Sequence, residues 1–487
     1  MRKVKVRTLY LIAIIVGGLV GLATKSTYAM FTASAEIDNP ICMSANLTSE
    51  EETIETMEVV VTAGEKKIVP VTINNTSTNT VGYSVWYTSP SDKVKIGIKL
   101  SNSDSSNSTG TISSNGSKKV YVQIINNSSS SVTITLGVIS NKTSNDMTLI
   151  PNTELDFSVN LVTYIKNLYT NATKTTTTLD SVTYNLASSV GLMNDRFGSM
   201  STGIDAGNIR YYGVNPNNYI YFNCSDYSNQ SSDTCETWRI IGVFDGKVKI
   251  MRGSLIGSYS WDSSADSINS GYGVNEWSQA DLMKLLNSGY ESESVGGSLY
   301  WNAKSGMCYS STSNGKKACN FTITGLKNDM TRNLIAETTY YTRGHNSSSI
   351  YVDAMYDRER VSGTLITGVT PTRTLTWTGK VAVAYPSDYG YAADLSLCQK
   401  QLISYNDAIC TANNWMKNIL GISSQGWLLT PRSDSAYYAW YVSLSGVVGS
   451  KYFACNAYGV APVLSLNSEQ RLLGGTGTSS DPYQLSV

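Results

Sequence analysis

Histidine is almost missing from this chain: His345 is the only one in 487 residues. A Ser-His-Asp centre would have to use that residue, and a histidine-rich zinc site lacks its ligands. The neighbours of His345, from Thr342 to Asn346, indicate an exposed polar loop instead. We therefore expect no catalytic residue, no metal site and no cofactor.

Charged residues are also scarce, at 15% of the chain, and their signs balance, with 37 Lys plus Arg against 37 Asp plus Glu. A neutral chain lacks the basic surface that attracts nucleic acid or an anionic membrane. Phe is rare at 7 residues, whereas Tyr reaches 32. Because tyrosine-rich polar surfaces suit stacking and hydrogen bonding, we expect a surface glycan or a protein as the partner. Membrane contact is expected only through the N-terminal segment.

No CxxC motif occurs among the eight cysteines, which argues against zinc and thioredoxin-like sites. Similar loops closed by cysteines are typical of disulfides in an oxidising compartment. Six cysteines form three local pairs of nearly equal spacing, which we predict to be disulfides: Cys224 with Cys235, Cys308 with Cys319, and Cys398 with Cys410. Eight free thiols are the alternative, and Cys42 and Cys455 stay unassigned.

The N-terminus has the pattern of a targeting segment. Basic residues in the first seven positions precede an uncharged apolar run from Leu9 to Ala23. This run is short for a membrane-spanning helix but suits a signal-peptide core. Thr27-Tyr28-Ala29 offers a cleavage site, and Ala33-Ser34-Ala35 is a second candidate. We predict that residues 1–29 are a signal peptide or an uncut membrane anchor. Either alternative places the rest of the chain on the extracellular side of the membrane, anchored or secreted.

Two short segments resemble parts of known surface proteins. Residues Ser26 to Thr32 resemble the cleavage region of camelysins and biofilm-fibre precursors of Gram-positive bacteria. Residues Gly474 to Tyr483 resemble a terminal hairpin of Gram-positive surface proteins. Both resemblances imply an exported protein.

Residues 36–163 contain short β-rich runs separated by Asn, Ser, Thr and Gly turns. Runs such as Lys67–Ile73 and Val120–Ile125 are rich in β-branched residues, and several alternate with period two. This pattern predicts an all-β immunoglobulin-like sandwich that serves as a stalk or spacer, with adhesion as the alternative role. Residues 164–207, with the low-complexity tract Thr175–Thr178, are predicted to be a linker.

Residues 208–487 have a different texture, which predicts an α+β domain. Asp245-Gly246 between two apolar runs is a strong hairpin signal. Three segments have helical spacing of apolar residues: Glu276–Asn287, Thr324–Thr338 and Asn413–Leu420. Hairpins, short helices and long polar loops together are typical of an α+β arrangement.

Three motifs in this region carry a family resemblance: Trp238-Arg-Ile-Ile241, Trp427-Leu-Leu-Thr-Pro-Arg-Ser433 and Tyr458-Gly-Val-Ala-Pro-Val-Leu464. Together they resemble C-type-lectin-like folds of the formylglycine-generating-enzyme type, and especially bacterial surface domains that share that fold. The resemblance implies a recognition domain. The oxidases of that family need a reactive cysteine pair in their C-terminal part, where this chain has only Cys455, so we expect no oxidase activity.

Aromatic segments with Ser and Asp neighbours are the best candidates for ligand binding, because exposed rings add contact area and hydroxyls add hydrogen bonds. Two such segments, Tyr385–Tyr391 and Ser435–Trp440, supply the predicted binding residues Tyr389, Tyr391, Tyr437 and Asp388. We expect an exported binding protein that is not an enzyme. A structural fibre or cell-wall component, and an enzyme related to the oxidases, are the alternatives.

Overall fold

In a computed structural model of the chain, the described residues are 43–48, 54–63, 65–99, 107–140, 148–153, 155, 158–196, 207–263, 271–310 and 317–486. The predicted signal segment, residues 1–29, lies outside this range. The chain divides into two compact units between Phe157 and Ser158, called the first and the second unit below. Among the described residues, no helix has both the length and the apolar character that crossing a membrane requires.

Two β-sheets with a shared core make up the first unit. Its strands are β1 (Met43–Leu47), β2 (Ile54–Val61), β3 (Lys66–Asn75), β4 (Val81–Thr88), β5 (Val94–Ile98), β6 (Thr109–Ile112), β7 (Ser117–Asn126), β8 (Val132–Ser140) and β9 (Thr148–Leu149). One sheet has the order β1-β3-β7-β5, in which only β1 and β3 are parallel. The other has the order β2-β8-β4-β6, with β9 also paired to β4.

Period-two alternation explains how these sheets bury their apolar residues. In β7 the side chains of Val120, Val122 and Ile124 are buried, and in β8 those of Ile134 and Leu136 are buried in the same cluster. Successive strand residues point to opposite faces, so one face of each sheet carries the β-branched residues that form the core. The first unit is therefore all-β, as the sequence predicted.

The second unit is also mostly β, with short helices. Its largest sheet contains β11 (Thr175–Leu179), β12 (Val182–Ala187), β13 (Leu192–Asn194), β14 (Ile209–Tyr211), β15 (Tyr219–Phe222), β16 (Glu236–Phe244), β17 (Lys247–Arg252), β23 (Val381–Ala382) and β28 (Val463–Ser465). A second sheet has five strands in the order β18 (Ser258–Ser260), β27 (Ala457–Gly459), β24 (Gly426–Pro431), β25 (Tyr438–Val442) and β26 (Val448–Phe453).

Smaller sheets and short helices complete the described part of the second unit. The remaining strands are β10 (Val159–Asn160), β29 (Arg471–Gly474) and β30 (Gln484–Ser486) in one sheet, β19 (Ser305–Met307) with β20 (Ala318–Asn320), and β21 (Thr338–Tyr341) with β22 (Thr376–Gly379). The α-helices are α1 (Leu161–Asn171), α2 (Asp281–Leu286), α3 (Asp329–Asn333), α4 (Val352–Arg360), α5 (Pro386–Tyr391) and α6 (Ala408–Ala412). Single 3₁₀ turns span Ser188–Val190, Trp277–Gln279, Leu402–Ser404 and Trp415–Asn418.

The five-stranded sheet separates two hydrophobic clusters, because alternate residues of its strands face opposite sides. In β24, Trp427 and Leu429 join the larger cluster, whereas Leu428 joins the other. Trp440 and Val442 of β25 lie in the same cluster as Leu428. A sheet that is covered on both faces offers its strand ends and loops for binding.

The predicted linker at 164–207 is wrong. The compact unit already begins at Ser158, and α1 buries Leu161, Ile165 and Tyr169 after Asn160 caps its first turn. The Thr175–Thr178 tract forms most of β11, which pairs antiparallel with β12. Threonine is β-branched and favours strands, so this polar run could pair at a sheet edge. The predicted boundaries 36–163 and 208–487 shift accordingly to a division after residue 157.

The three predicted disulfides are present. The Cα atoms are 3.8 Å apart in Cys224–Cys235, 5.6 Å in Cys308–Cys319 and 4.7 Å in Cys398–Cys410. Disulfides form and persist in oxidising compartments, so these bonds indicate that the second unit functions outside the reducing cytoplasm. Cys455 is buried.

Candidate ligand-binding surface

The loop between β24 and β25, at one end of the five-stranded sheet, is fixed by hydrogen bonds from the side-chain amide of Asn275. The side chain of Asn275 donates to the carbonyls of Arg432, Ser435 and Tyr438, at 3.3, 2.7 and 2.7 Å. The guanidinium of Arg373 donates from Nε to Asn275 Oδ1 at 3.0 Å. Because Asn275 is buried, these bonds fix the loop between β24 and β25 from beneath.

A cluster of aromatic rings, which we call the aromatic platform, forms at this loop: Tyr437 and Tyr438 come from the loop and the start of β25, Phe453 from the end of β26, and Tyr272 from a separate turn. Tyr272 and Phe453 stack with ring centroids 4.2 Å apart and an interplanar angle of 22°. Tyr437 lies 5.7 Å from Phe453 at 28°, and Tyr438 lies 5.0 Å from it. Tyr272 is 39% exposed and the other three rings are partly buried. The platform thus combines near-parallel rings with access to solvent.

Charged and polar groups border the platform. Arg432 contacts both carboxylate oxygens of Asp434, from Nε at 2.5 Å and from Nη2 at 2.9 Å, and its Nη1 donates to Ser450 Oγ at 2.9 Å. His345 lies close enough to Arg358 and Arg432 to interact with their charges. Its partial burial, followed by the charges of these two arginines, lowers the pKa of His345 below its usual value. The border therefore offers hydrogen-bonding groups beside the rings.

A second aromatic group, made by Tyr441, Tyr452 and Tyr458, differs in geometry. Its closest contacts are edge-to-face, with 4.5 Å and 73° between Tyr441 and Tyr452 and 4.6 Å and 64° between Tyr452 and Tyr458. Tyr458 also packs on buried Trp427 at 4.8 Å. These rings contact one another and the core, so they present less free ring surface than the platform.

Of the four predicted binding residues, only Tyr437 belongs to the platform. Tyr389, Tyr391 and Asp388 are 1%, 0% and 1% exposed, so the prediction that they line an exposed loop is wrong. The segment is the helix α5, which begins at Pro386. Proline is favoured at the first turn of a helix, and Asp388 accepts the N–H of Tyr385 at 3.0 Å as the N-terminal cap interaction.

Asp388 instead joins a buried network of charges. It pairs with Lys249 and, at 3.0 Å, with Nη1 of Arg210, which also pairs with Asp195. Burial by itself would raise the pKa of Asp388, but Lys249 and Arg210 outweigh it, so the pKa falls from 3.8 to about 2. Each of these buried charges thus has a partner of opposite charge, which is the condition for burying charge in a folded protein, although Arg210 Nη2 makes no hydrogen bond.

Sequence reasoning missed Tyr272 and Phe453 as binding candidates. Tyr272 lies between Gly271 and Gly273, which both have positive φ, at 78° and 77°. An aromatic residue between two glycines is a local signal for a ring presented on a tight turn. Phe453 gives no comparable signal, because its role depends on the strand pair β25–β26, in which it faces Tyr438.

The platform and its border offer groups for stacking and for hydrogen bonding. Aromatic faces stack on apolar faces of a ligand, and the neighbouring Arg432, Asp434 and Ser450 groups can exchange hydrogen bonds with hydroxyls. Within the described residues, no group of three or more His, Cys, Asp or Glu side chains is arranged to hold a metal ion.

Comparisons with known proteins place the chain in no family. No family model and no curated protein sequence matches it. Among solved structures, PliG of Aeromonas hydrophila, a periplasmic inhibitor of g-type lysozyme, matches 20% of this chain and 99% of its own length, at 10% identity and a TM-score of 0.12. PliG of Salmonella Typhimurium matches 20% of this chain and 98% of its own, at 10% identity and a TM-score of 0.14. A mutant of the Escherichia coli PliG covers the same shares at 7% identity and a TM-score of 0.13. Similarity at this level carries no argument about fold or function.

Proposed function

We propose that this chain is an exported binding protein whose second unit recognises a surface glycan through the aromatic platform, without catalysing a reaction on it. The observation that carries the proposal is the platform itself. Its near-parallel rings reach solvent beside a loop that Asn275 and Arg373 hold in place. Binding surfaces need such preorganised anchors, because ordering a loose loop during binding costs affinity.

A glycan is favoured over a protein for two reasons. The platform is small, whereas stable protein interfaces bury about 800 Å² on each partner. Its border is a mixed set of one cation, one carboxylate and one hydroxyl, from Arg432, Asp434 and Ser450. Such groups can donate to and accept from sugar hydroxyls, while the rings stack on the C–H face of a pyranose.

The finer fold assignments support this function and are part of the proposal. We infer an immunoglobulin-like arrangement for the first unit, in keeping with its two sheets over one core, and a C-type-lectin-like arrangement for the second. In this scheme the first unit is the stalk and the second unit is the recognition domain of a surface-anchored or secreted protein. A crystal structure of the exported chain would test both assignments.

The function is tested on a glycan array with the full exported chain from residue 36 onward. We expect discrete sugar hits that the double variant Tyr272→Ala with Tyr437→Ala loses. For a soluble hit, calorimetry should show an affinity lower by about 30-fold, since each ring contributes about 1 kcal/mol.

Tyr341→Ala is the matched control, because Tyr341 is equally exposed at 38% and lies outside the platform. It should bind like the wild type, and all variants should keep nearly the same Tm. Binding that survives loss of both platform rings would move the site elsewhere. Turnover of a glycoside or of a peptide cysteine by the purified protein would refute the non-catalytic role.

A further inference from the structure

Arg239 is a buried cation with an unusual set of neighbours. It lies on β16, is 5% exposed, and faces Tyr219 on the paired strand β15. Its guanidinium carbon is 3.6 Å from the centroid of the Tyr219 ring and 4.9 Å from that of Trp415. Nε donates to Asn218 Oδ1 at 2.6 Å, whereas Nη2 reaches the carbonyl of Pro216 only at 3.5 Å.

Other buried cations of the second unit are better satisfied. Arg210, Lys249 and Arg360 each pair with a buried carboxylate. All three nitrogens of Arg373 donate to neutral oxygens, those of Asn275, Pro371 and Ala436. Arg239 has neither kind of compensation: no described carboxylate lies within 4.0 Å of it, and its Nη1 has no acceptor.

The Nη1 edge of Arg239 remains open. Several described nitrogen and oxygen atoms of side chains are buried and make no hydrogen bond, but Nη1 of Arg239 is not one of them. Since Nη1 has no described acceptor, it must be accessible to solvent. The face toward Tyr219 is covered by the ring, and Nε is occupied by Asn218. What is left is the Nη1–Nη2 edge, where Nη1 makes no hydrogen bond to a described group and Nη2 makes only the 3.5 Å bond to the Pro216 carbonyl. The two N–H groups of this edge are parallel, because the guanidinium is planar.

The energetics of this site favour an added anion. Burial lowers the pKa of Arg239 to about 10, and the neighbouring Tyr219 offsets this only in part. A buried charge without a counter-ion is costly, and stacking on aromatic rings returns only about 1–2 kcal/mol. A bound carboxylate would supply the missing charge and accept both open donors in the bidentate geometry that suits a guanidinium.

We infer that Arg239, stacked on Tyr219 and Trp415, forms a binding site for a carboxylate, held end-on by Nη1 and Nη2. The site uses no residue of the aromatic platform, so it is independent of the proposed glycan recognition. The carboxylate belongs to an acidic sugar, to a peptide C-terminus or to a free small acid, and these sources share the chemistry that Arg239 recognises.

The test measures thermal stability of the full exported chain while acetate replaces chloride at constant sodium. Tryptophan fluorescence reports mainly on the second unit, since every tryptophan except Trp86 lies there. We expect a saturable rise in Tm of about 2 °C when acetate exceeds its Kd about ten-fold. Sulfate, which is tetrahedral, should give a smaller shift at equal ionic strength.

Two substitutions separate the site from general ion effects. Arg239→Gln and Arg239→Lys should both abolish the acetate shift, because neither offers two parallel donors in a plane. Arg343→Gln is the matched control: Arg343 is a partly exposed arginine whose Nη1 donates only to the carbonyl of Gly363, at 3.2 Å. It should keep the full shift.

If the Arg239 variants do not fold, arginine-labelled wild type gives the same answer by NMR. Acetate should shift the Nε–Hε resonance of one buried arginine and leave the others unchanged. Glucuronate and N-acetylglycine then identify the source, since the better fitting carrier saturates at the lower concentration. Three results would contradict the site: a Tm in acetate equal to the Tm in chloride, a sulfate shift as large as the acetate shift, or an acetate shift that Arg239→Gln retains.

Discussion

Tyr272 and Phe453 stack at 4.2 Å although they come from distant parts of the chain, and Phe453 also contacts Tyr437 and Tyr438. Phe453 is thus the common neighbour of all three tyrosines. Tyr437 also contacts the other three rings, but it lies 5.3 Å from Tyr272 and 5.7 Å from Phe453, so the closest stack of the platform is the one that Phe453 makes with Tyr272.

Removing the ring of Phe453 should weaken glycan binding more than removing only the hydroxyl of a platform tyrosine. We expect Phe453→Ala to lower affinity at least ten-fold, because three rings lose their shared stacking surface. Tyr437→Phe keeps its ring and should change affinity less than three-fold. Calorimetry with an array-derived glycan measures both, and equal effects of the two variants would mean that the hydroxyl, not the stack, determines binding.

Asn275 is expected to control both stability and binding through one set of hydrogen bonds. Asn275→Ala leaves the carbonyls of Arg432, Ser435 and Tyr438 without their donor, which should reduce the free energy of unfolding by about 2–4 kcal/mol. Urea unfolding followed by tryptophan fluorescence measures the loss. The exposed Asn346→Ala is the control and should match the wild type. Unchanged stability of Asn275→Ala would show that the loop keeps its shape by other contacts.

The disulfide Cys398–Cys410 closes a short loop beside the buried Trp415 cluster. Replacing both cysteines by serine should lower the free energy of unfolding by about 2–3 kcal/mol, because the unfolded chain regains the entropy that the closed loop removes. Urea unfolding gives the value. The wild type can be denatured without reduction, alkylated, digested and examined by peptide mass spectrometry. Cys398 and Cys410 should then carry no alkyl group, and alkylated Cys398 or Cys410 would contradict the disulfide.

Local signals in the sequence predicted local structure well. Asp245-Gly246 predicted a hairpin, and the structure confirms it, with positive φ at both residues and β16 paired to β17. The cysteine spacing gave the three disulfides for the same reason, since both partners of each bond lie in one short segment.

Features that depend on distant partners could not be predicted in this way. The spacing across Thr324–Thr338 indicated one helix, but only Asp329–Asn333 is α-helical, and Ala336 donates its N–H to Ser465 on β28. The tyrosines of α5 resemble exposed loop aromatics in sequence, yet Tyr389 packs at 6.2 Å from Tyr405 in the core. Whether a tyrosine is exposed is decided by such long-range packing, which a single sequence does not contain.

Asp388 should make stability depend on pH at the acidic end. Its carboxylate has a folded pKa of about 2, below the unfolded value of 3.8, because Lys249 and Arg210 favour the charged form. A lowered folded pKa adds stability above the unfolded value, and this stability is lost as pH falls from about 4 to about 2. The shift corresponds to about 2 kcal/mol.

Asp388→Asn isolates this contribution. At neutral pH it should cost about 3–5 kcal/mol, because Lys249 loses its buried partner and Arg210 keeps only Asp195. The difference in unfolding free energy between wild type and variant should then shrink between pH 4 and pH 2. The control Asp329→Asn removes a carboxylate that is 90% exposed and should leave stability nearly unchanged at every pH. A wild-type-to-variant difference that stays constant through this range would mean that Asp388 is not ionised in the folded protein, and the network would then be held by neutral hydrogen bonds.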